Sequence, residues 1–520
     1  MSSALPIPNL VQDMLEASAA RLPDKIALVC GDRRLTYSEI DAQANRLANA
    51  LQDRGVKRGD RVVLCLKNCV EAVIGIFATL KAGAAFVPVN RSTKDEKLAY
   101  ILKNCRATVL FCEDGEQNRR LGFRLLEEVP SLKLLVTCGN AIAPSEEQGQ
   151  FQSFDGLLKS FPAYLPPRVN IDLDLACLIY TSGSTGEPKG VMSDHSNVIF
   201  AAGSILEYLA SAESDVVINV LPLSFDYGLY QVLMAFQSGA RLILAESFAY
   251  PTAILNLMER EKVTAFPGVP TMFALLLQMD LTPHDLSRLR YLTNTAAALP
   301  PSHVIELRRK FHWATLYSMY GLTETKRTLY LPPEQLERRP GSVGIPIPGT
   351  ECWIEDSAGR VCGPGEIGEL VVRGRHVMRG YWEAPEATAL RFRPGPIPGE
   401  RICHTGDLFK KDADGFFYFV GRSDDIIKSR GEKVAPKEVE AVLYEFKGVA
   451  EAAVVGVPDP ILGQAIKAVI VPATGVSLAA GAILAHCRAR LESHMVPQQI
   501  EFRDALPRTS SGKIARKELG

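Results

Sequence analysis

Thr181-Ser182-Gly183-Ser184-Thr185-Gly186-Glu187-Pro188-Lys189-Gly190 follows directly on the apolar run Ala176-Cys177-Leu178-Ile179-Tyr180. An aliphatic run that ends in Gly, Ser and Thr reads as a buried strand opening into a loop. Small residues there expose backbone N–H groups and hydroxyls without bulk, which suits polyphosphate oxygens. A Walker A loop ends in Gly-Lys-Ser/Thr, whereas Lys189 stands between Pro188 and Gly190, so that class is excluded. Glycine and serine alone would describe a surface linker. The ordered Pro188 and Lys189 and the preceding strand favour a phosphate cradle.

Outward from this loop, strand-like and helix-like patterns alternate. Arg61-Val62-Val63-Leu64-Cys65-Leu66 is followed by a helical stretch at 69–80 and by Ala85-Phe86-Val87-Pro88-Val89. The helical period of 97–104 leads into Thr108-Val109-Leu110-Phe111-Cys112, and the alternation recurs at 216–220, 241–245 and 254–266. Helices between short β-branched runs predict βαβ units and parallel sheets covered on both faces, an α/β fold. Residues 341–420 change character: Gly-Pro turns and runs such as Glu369-Leu370-Val371-Val372-Arg373 predict a small β-rich subdomain. After Arg422 comes a compact α+β pattern, with a helix at 436–445, strands at 451–457 and 465–471, and a helix at 479–491. The expected division is a large domain over 1–423 and a small one over 424–520.

A chain of 520 residues predicts about two to four domains and can bury large cores. Lys plus Arg number 58 against 59 Asp plus Glu, which gives no global reason to expect nucleic acid or an anionic membrane as partner. The basic cluster Arg308-Arg309-Lys310 reads as a solvated helix face. Eleven scattered cysteines and eight isolated histidines offer no metal-ligand spacing, so reduced thiols in a reducing compartment are expected. No basic region followed by an apolar run stands at the N-terminus. The most apolar stretch, 72–89, is interrupted by Lys81 and reads as buried helix and strand, not as a membrane span. A cytoplasmic location is the expectation.

Five further motifs accompany the loop: Leu35-Thr36-Tyr37-Ser38-Glu39-Ile40, Tyr320-Gly321-Leu322-Thr323-Glu324, Thr405-Gly406-Asp407-Leu408, Gly421-Arg422-Ser423-Asp424-Asp425-Ile426-Ile427-Lys428 and Pro507-Arg508-Thr509-Ser510-Ser511-Gly512-Lys513. In order and spacing the set resembles the acyl-adenylating enzymes, which include acyl-CoA ligases, adenylation domains of peptide synthetases, and firefly luciferase. The resemblance covers nearly the whole chain.

The resemblance implies a site for ATP and Mg²⁺. Joining a carboxylate to the α-phosphate brings two anions together, so positive charge and a neutralised pyrophosphate are required. Thr181, Ser182, Gly183, Ser184, Thr185, Gly186 and Lys189 would cradle the phosphates, and Glu324 would hold the metal beside them. Gly321 and Thr323 belong to the same motif. Tyr320 offers a flat face to adenine, with Asn294, Thr295 and Ala296 on its other side, although that segment lacks the family's commoner glycines. Asp407 would accept the ribose hydroxyls and Arg422 would donate to ribose or phosphate. Outside this setting Glu324 would be a helix-start carboxylate, Thr-Gly-Asp a turn and Lys513 a solvated tail residue.

Lys513, by the same resemblance, bridges the substrate carboxylate and the α-phosphate. Asp424 stands at the hinge about which the small domain turns, withdrawing Lys513 and bringing up Lys428 and Gly431 for thioester formation. Gly431, having no side chain, would let a pantetheine arm pass close to the backbone. The run Lys433-Val434-Ala435-Pro436-Lys437-Glu438 looks more like acyl-CoA ligases than peptide-synthetase domains. The chain stops at Gly520 with no carrier module after it, so CoA is the expected acceptor, with a separate phosphopantetheinyl carrier protein second.

Asp226, Tyr227 and Tyr230 are expected at the acid pocket. Phe225-Asp226 resembles amino-acid-activating domains, in which that Asp meets the substrate ammonium. The other reading is an N-cap for a helix at 227–236, since Asp is favoured there. The sequence thus predicts an AMP-forming acid–thiol ligase. Its rivals are a stand-alone amino-acid adenylating enzyme that loads a separate carrier protein and an ATP-binding module without chemistry.

Overall fold

A computed structural model describes residues 8–139, 149–182, 187–295, 297, 299–423, 425–429, 432–459, 462–509 and 513–520. One sheet has seven strands, in the order Phe151–Ser153, Leu134–Cys138, Ala107–Glu113, Arg61–Cys65, Ala85–Val89, Leu175–Ser182 and Pro188–Asp194. All neighbours are parallel except the last pair, which runs antiparallel. The strand expected at 176–180 is found, extended at both ends to Leu175–Ser182.

The second sheet has fourteen strands. Its parallel part runs Ile26–Cys30, Arg241–Leu244, Val216–Asn219, Ala265–Gly268, Tyr291–Asn294, Thr315–Tyr320. It continues antiparallel through Leu329–Leu331, Ser342–Pro346, Phe417–Arg422, Arg401–Lys411, Gly368–Gly374 and Thr350–Glu355. The β-rich stretch read at 341–420 thus shares backbone hydrogen bonds with the parallel sheet. Strand Ser342–Pro346 is the joint between them.

The two sheets share one core. Val62 and Phe86 from the first sheet and Leu28 and Leu242 from the second pack with Leu47, Ile76 and Phe77 from the helices between them. Helix Tyr37–Asp53 starts in a capping box: Glu39 N–H donates to Thr36 Oγ1 at 3.2 Å, and Thr36 N–H donates to Glu39 Oε2 at 2.8 Å. Losing such a cap costs about 1 kcal/mol. Helix Val70–Lys81 is buried on almost every face because sheets flank it. Its closing Lys81 is buried too, and its ammonium is held by Glu16 at 2.9 Å, Asp41 at 2.8 Å and Asn45 Oδ1 at 2.8 Å. The break in the apolar stretch is a paired buried charge. Lys310 also departs from the solvated-face reading: its ammonium donates to the carbonyls of Leu276 at 2.9 Å and Leu277 at 3.1 Å, satisfying the end of helix Pro270–Gln278.

Residues 427–519 build cores of their own around Val454, Ile466 and Ile470 on one face and Val455, Val469 and Leu506 on the other. Their sheet runs Glu432–Val434, Ile427–Ser429, Gly463–Pro472, Val449–Asp459, with Gln499–Phe502 parallel beside Gly463–Pro472. Helices Pro436–Tyr444 and Ala480–Arg490 match the predicted spans to within a residue. Among the described residues no helix is long and apolar enough to cross a membrane, and all eleven cysteines are free.

Candidate active site

The site lies where the C-terminal ends of the parallel strands meet the antiparallel half of the large sheet. Strand Thr315–Tyr320 delivers Tyr320, and strand Arg401–Lys411 delivers Asp407. The Tyr320 hydroxyl donates to Asp407 Oδ2 at 2.7 Å. Ladder register puts Arg422 directly opposite Asp407, with its Nε 3.4 Å from Oδ1. That separation makes an ion pair, yet Oδ1 is buried without a hydrogen-bond donor. A buried acceptor left open in a polar corner fits a ligand hydroxyl. Burial raises the Asp407 carboxyl above the ordinary range, while Arg422, Tyr320, Arg391 and Lys513 pull it back down. Lys513, exposed near the chain end, therefore lies within electrostatic reach of the pocket.

The turn that carries Asp407 is closely fitted. Gly406 has φ +70°, and its N–H donates to Glu369 Oε1 at 2.7 Å. That left-handed backbone favours glycine, and a Cβ there would also have to push aside the Arg391 guanidinium, whose Nη1 would lie 2.2 Å away. Asn294, at the end of strand Tyr291–Asn294, is fully buried, donates to the Ala297 carbonyl at 3.0 Å and leaves its Oδ1 without a partner. Thr295 is buried beside it.

Glu324 lies on the turn after Tyr320. Its Oε1 accepts the Tyr381 hydroxyl at 2.6 Å, and the Lys189 ammonium stands 5.7 Å from the centre of the Tyr381 ring. Lys189 pairs with Thr181 in the strand ladder, and it and Glu324 converge on Tyr381. Among the described residues no group of three metal-ligating side chains occurs. A single oriented carboxylate is what Mg²⁺ uses when phosphate oxygens and water complete its shell, and Glu324 fits that role. Tyr381 and Arg391 were not singled out in the sequence. Their signal was the Arg-Gly-Tyr-Trp phrase at 379–382 and the Arg-Phe at 391–392.

The acid-pocket expectations change in detail. Helix Asp226–Ser238 begins at Asp226 itself, its N-cap is Phe225, and no side chain caps it. The capping reading of Asp226 is therefore corrected: as the first helical residue, it lies one place past the capping position. Its carboxylate instead meets Arg327 Nη1 at 3.7 Å, with both side chains buried. The Arg327 guanidinium lies 4.4 Å from the Tyr227 ring centre, and the Tyr227 hydroxyl is spent on Thr293, on its carbonyl at 2.8 Å and its Oγ1 at 2.6 Å. The Tyr230 hydroxyl is buried and has no partner.

Gly183, Ser184, Thr185, Gly186, Ala296, Asp424 and Gly431 lie outside the described residues, as do the side chains of Ser182 and Lys428. Lys428 sits on strand Ile427–Ser429, paired with Lys433. Thr323 is half-buried on the Glu324 turn.

A nucleotide pocket at the strand ends of two α/β sheets, beside a small α+β unit that holds a lysine within reach, defines an adenylate-handling enzyme. The chain belongs to the AMP-binding enzyme family: the family model matches residues 15–382, and the model of the AMP-binding enzyme C-terminal domain matches 438–513. It is 33% identical over 546 residues to a long-chain-fatty-acid–CoA ligase of Bacillus subtilis (strain 168), covering 99% of this chain and 95% of that protein. It is 36% identical over 503 residues to a feruloyl-CoA synthase of Amycolatopsis sp, covering 96% of each. Among solved structures, the anthranilate CoA ligase AuaEII in complex with anthranoyl-AMP matches with a TM-score of 0.90 at 30% identity, over 100% of this chain and 98% of that one.

Proposed function

We propose that the chain is an AMP-forming acid–CoA ligase: acid and ATP give acyl-adenylate and pyrophosphate, then the thiol of CoA gives the thioester and AMP. The observation that carries this reading is the open Asp407 Oδ1 between Tyr320 and Arg422, with Lys513 acting on the same pocket. Asp407 accepts the ribose hydroxyls and so fixes the nucleotide. Tyr320 and the Asn294 end of its strand bound the purine, with the open Asn294 Oδ1 as acceptor for its amino group. Lys189 and the loop hold the outer phosphates. Lys513 bridges the incoming carboxylate and the α-phosphate, stabilising charge where it concentrates in the transition state. Glu324, oriented by Tyr381, would hold Mg²⁺, which when bound neutralises the departing pyrophosphate.

For the second step, rotation about Asp424 would withdraw Lys513 and present Lys428 and Gly431 to the thiol. CoA is the acceptor favoured by the named relatives and by the 433–438 phrase. A separate carrier protein is the other acceptor of the same chemistry. Pyrophosphate release measured across fatty, aryl and amino acids, with and without CoA, tests the reading. Acid-dependent pyrophosphate release followed by acyl-CoA is expected. ATP binding with no release for any acid would leave only a nucleotide-binding module.

A further inference from the structure

Among the described residues two lysines are buried, and they are solvated in opposite ways. Lys81 has three oxygens around its ammonium. Lys326 is 0% exposed, and its Nζ has no hydrogen-bond partner at all. Its backbone is also unusual, with φ +57° at a residue that is neither Gly nor Asn. A buried unpaired cation on a left-handed backbone is costly twice over and marks a place where the protein does something with it.

Two further open donors lie on the next residue and on Tyr230. Arg327 Nη2 and the Tyr230 hydroxyl are buried and unpartnered. The Lys326 ammonium stands 5.8 Å from the Tyr230 ring centre, and Asp226 and Glu324 are among the charges that act on it. Lys326 therefore lies between the phosphate end of the site and the helix that carries the acid-pocket residues. Asp226 already faces Arg327 and Glu324 accepts from Tyr381, so three buried donors are left without an acceptor.

We propose that the acid this chain activates carries a second carboxylate, received by Lys326, Arg327 and Tyr230, and that Arg327 occupies Asp226 so that amino acids are refused. The proposal rests on the ligase reading and adds its substrate class. A carboxylate supplies acceptor lone pairs for all three donors. An ammonium would face two buried cations and a carboxylate already engaged.

The test compares matched acids of four-carbon, eight-carbon and aryl size, each as the plain monocarboxylic acid, with a second carboxylate, and with an amino group, by kcat/KM for pyrophosphate release. The dicarboxylic member of at least one set is expected to exceed its plain partner by about tenfold or more, the worth of one hydrogen bond to a charged group, with the amino acid poorest. Lys326→Met should lower that dicarboxylic-to-plain ratio by about tenfold or more. Without ligand the variant should melt no lower than wild type, because an unpaired buried charge has been removed. A marked fall in its melting temperature would make Lys326 structural and overturn the assignment, as would wild type preferring the plain or amino member of every set. Either result leaves adenylation itself standing. Release with no acid of any kind would remove the ligase reading and the pocket assignment with it.

Discussion

The Tyr320 hydroxyl is hydrogen-bonded to one oxygen of Asp407, and the other oxygen of that carboxylate is left open beside Arg422. The phenol thus fixes the rotamer of the carboxylate while leaving its binding face free.

Replacing Asp407 with Asn should therefore raise KM for ATP by about tenfold or more, since a charge-assisted contact becomes a neutral one. The melting temperature should hold or rise, because a buried charge is removed. Titration of wild type adds a pH signature. The folded carboxyl titrates above the ordinary Asp range, so nucleotide affinity should weaken on acidification before a solvent-exposed Asp would protonate. An unchanged KM in D407N would take the ribose away from this residue.

Lys513→Ala should abolish adenylate formation while a supplied acyl-adenylate is still converted to thioester. Gly431→Trp should do the reverse, keeping pyrophosphate exchange and blocking thioester. Equal losses of both half-reactions in either variant would dissolve the proposed division between two faces of the small domain.

Much of this was legible in the chain because local chemistry decided it. The periodicity of 436–445 and 479–491 gave helices within a residue of those observed, and the apolar run 176–180 gave the strand Leu175–Ser182. Long-range partnerships were not legible. Asp226 and Arg327 are 101 positions apart, and nothing local to Asp226 announces a guanidinium. The capping expectation failed by one residue, which is enough to turn a side chain from the helix end to its flank. Lys326-Arg327 did carry a signal, two cations separated only by Thr328 from the apolar Leu329-Tyr330-Leu331. Whether such charges bury or snorkel depends on tertiary packing. Continuity between the β-rich region and the parallel sheet was also hidden, because strand patterns do not specify their neighbours.

Gly321 admits no side chain. A Cβ at this position would lie 1.9 Å from the Lys326 carbonyl oxygen, a backbone atom that cannot swing away. Gly321→Ala should displace the 321–328 turn, lowering kcat/KM by roughly a hundredfold and destabilising the fold by about 3 kcal/mol. Gly203, in helix His195–Tyr208 with open space at its Cβ, is the control. There Ala should stabilise by about 0.5–1 kcal/mol. Equal behaviour of the two variants would contradict the close fit of the turn.

Acid stability should follow two buried imidazoles. Burial lowers His195 and His376 to about 4 from 6.5, and His195 Nδ1 accepts the Val11 N–H at 3.0 Å, which requires an unprotonated nitrogen. The unfolded chain takes up these protons first. Their stabilisation is thus complete above pH 6.5 and is lost as pH falls toward about 4, by roughly 3 kcal/mol for each. Melting temperatures over this range should fall steeply in wild type and less steeply in His376→Phe, whose ring can keep the stack on Phe200 at 5.7 Å. Parallel curves for the two proteins would exclude His376 as a source of the acid sensitivity.

The strands that carry Tyr320 and Asp407 are not adjacent. Leu329–Leu331, Ser342–Pro346 and Phe417–Arg422 lie between them in the same sheet, which on a flat surface would set the two strand axes about 19 Å apart. Their side chains nevertheless meet at 2.7 Å, so the sheet arches, and the hydroxyl–carboxylate contact is a tie across the span. A nucleotide seated under the arch would brace it from within. Amide deuterium exchange should register that bracing in the three intervening strands, none of which need touch the ligand, and the slowing should stop short of the far edge at Arg33–Thr36.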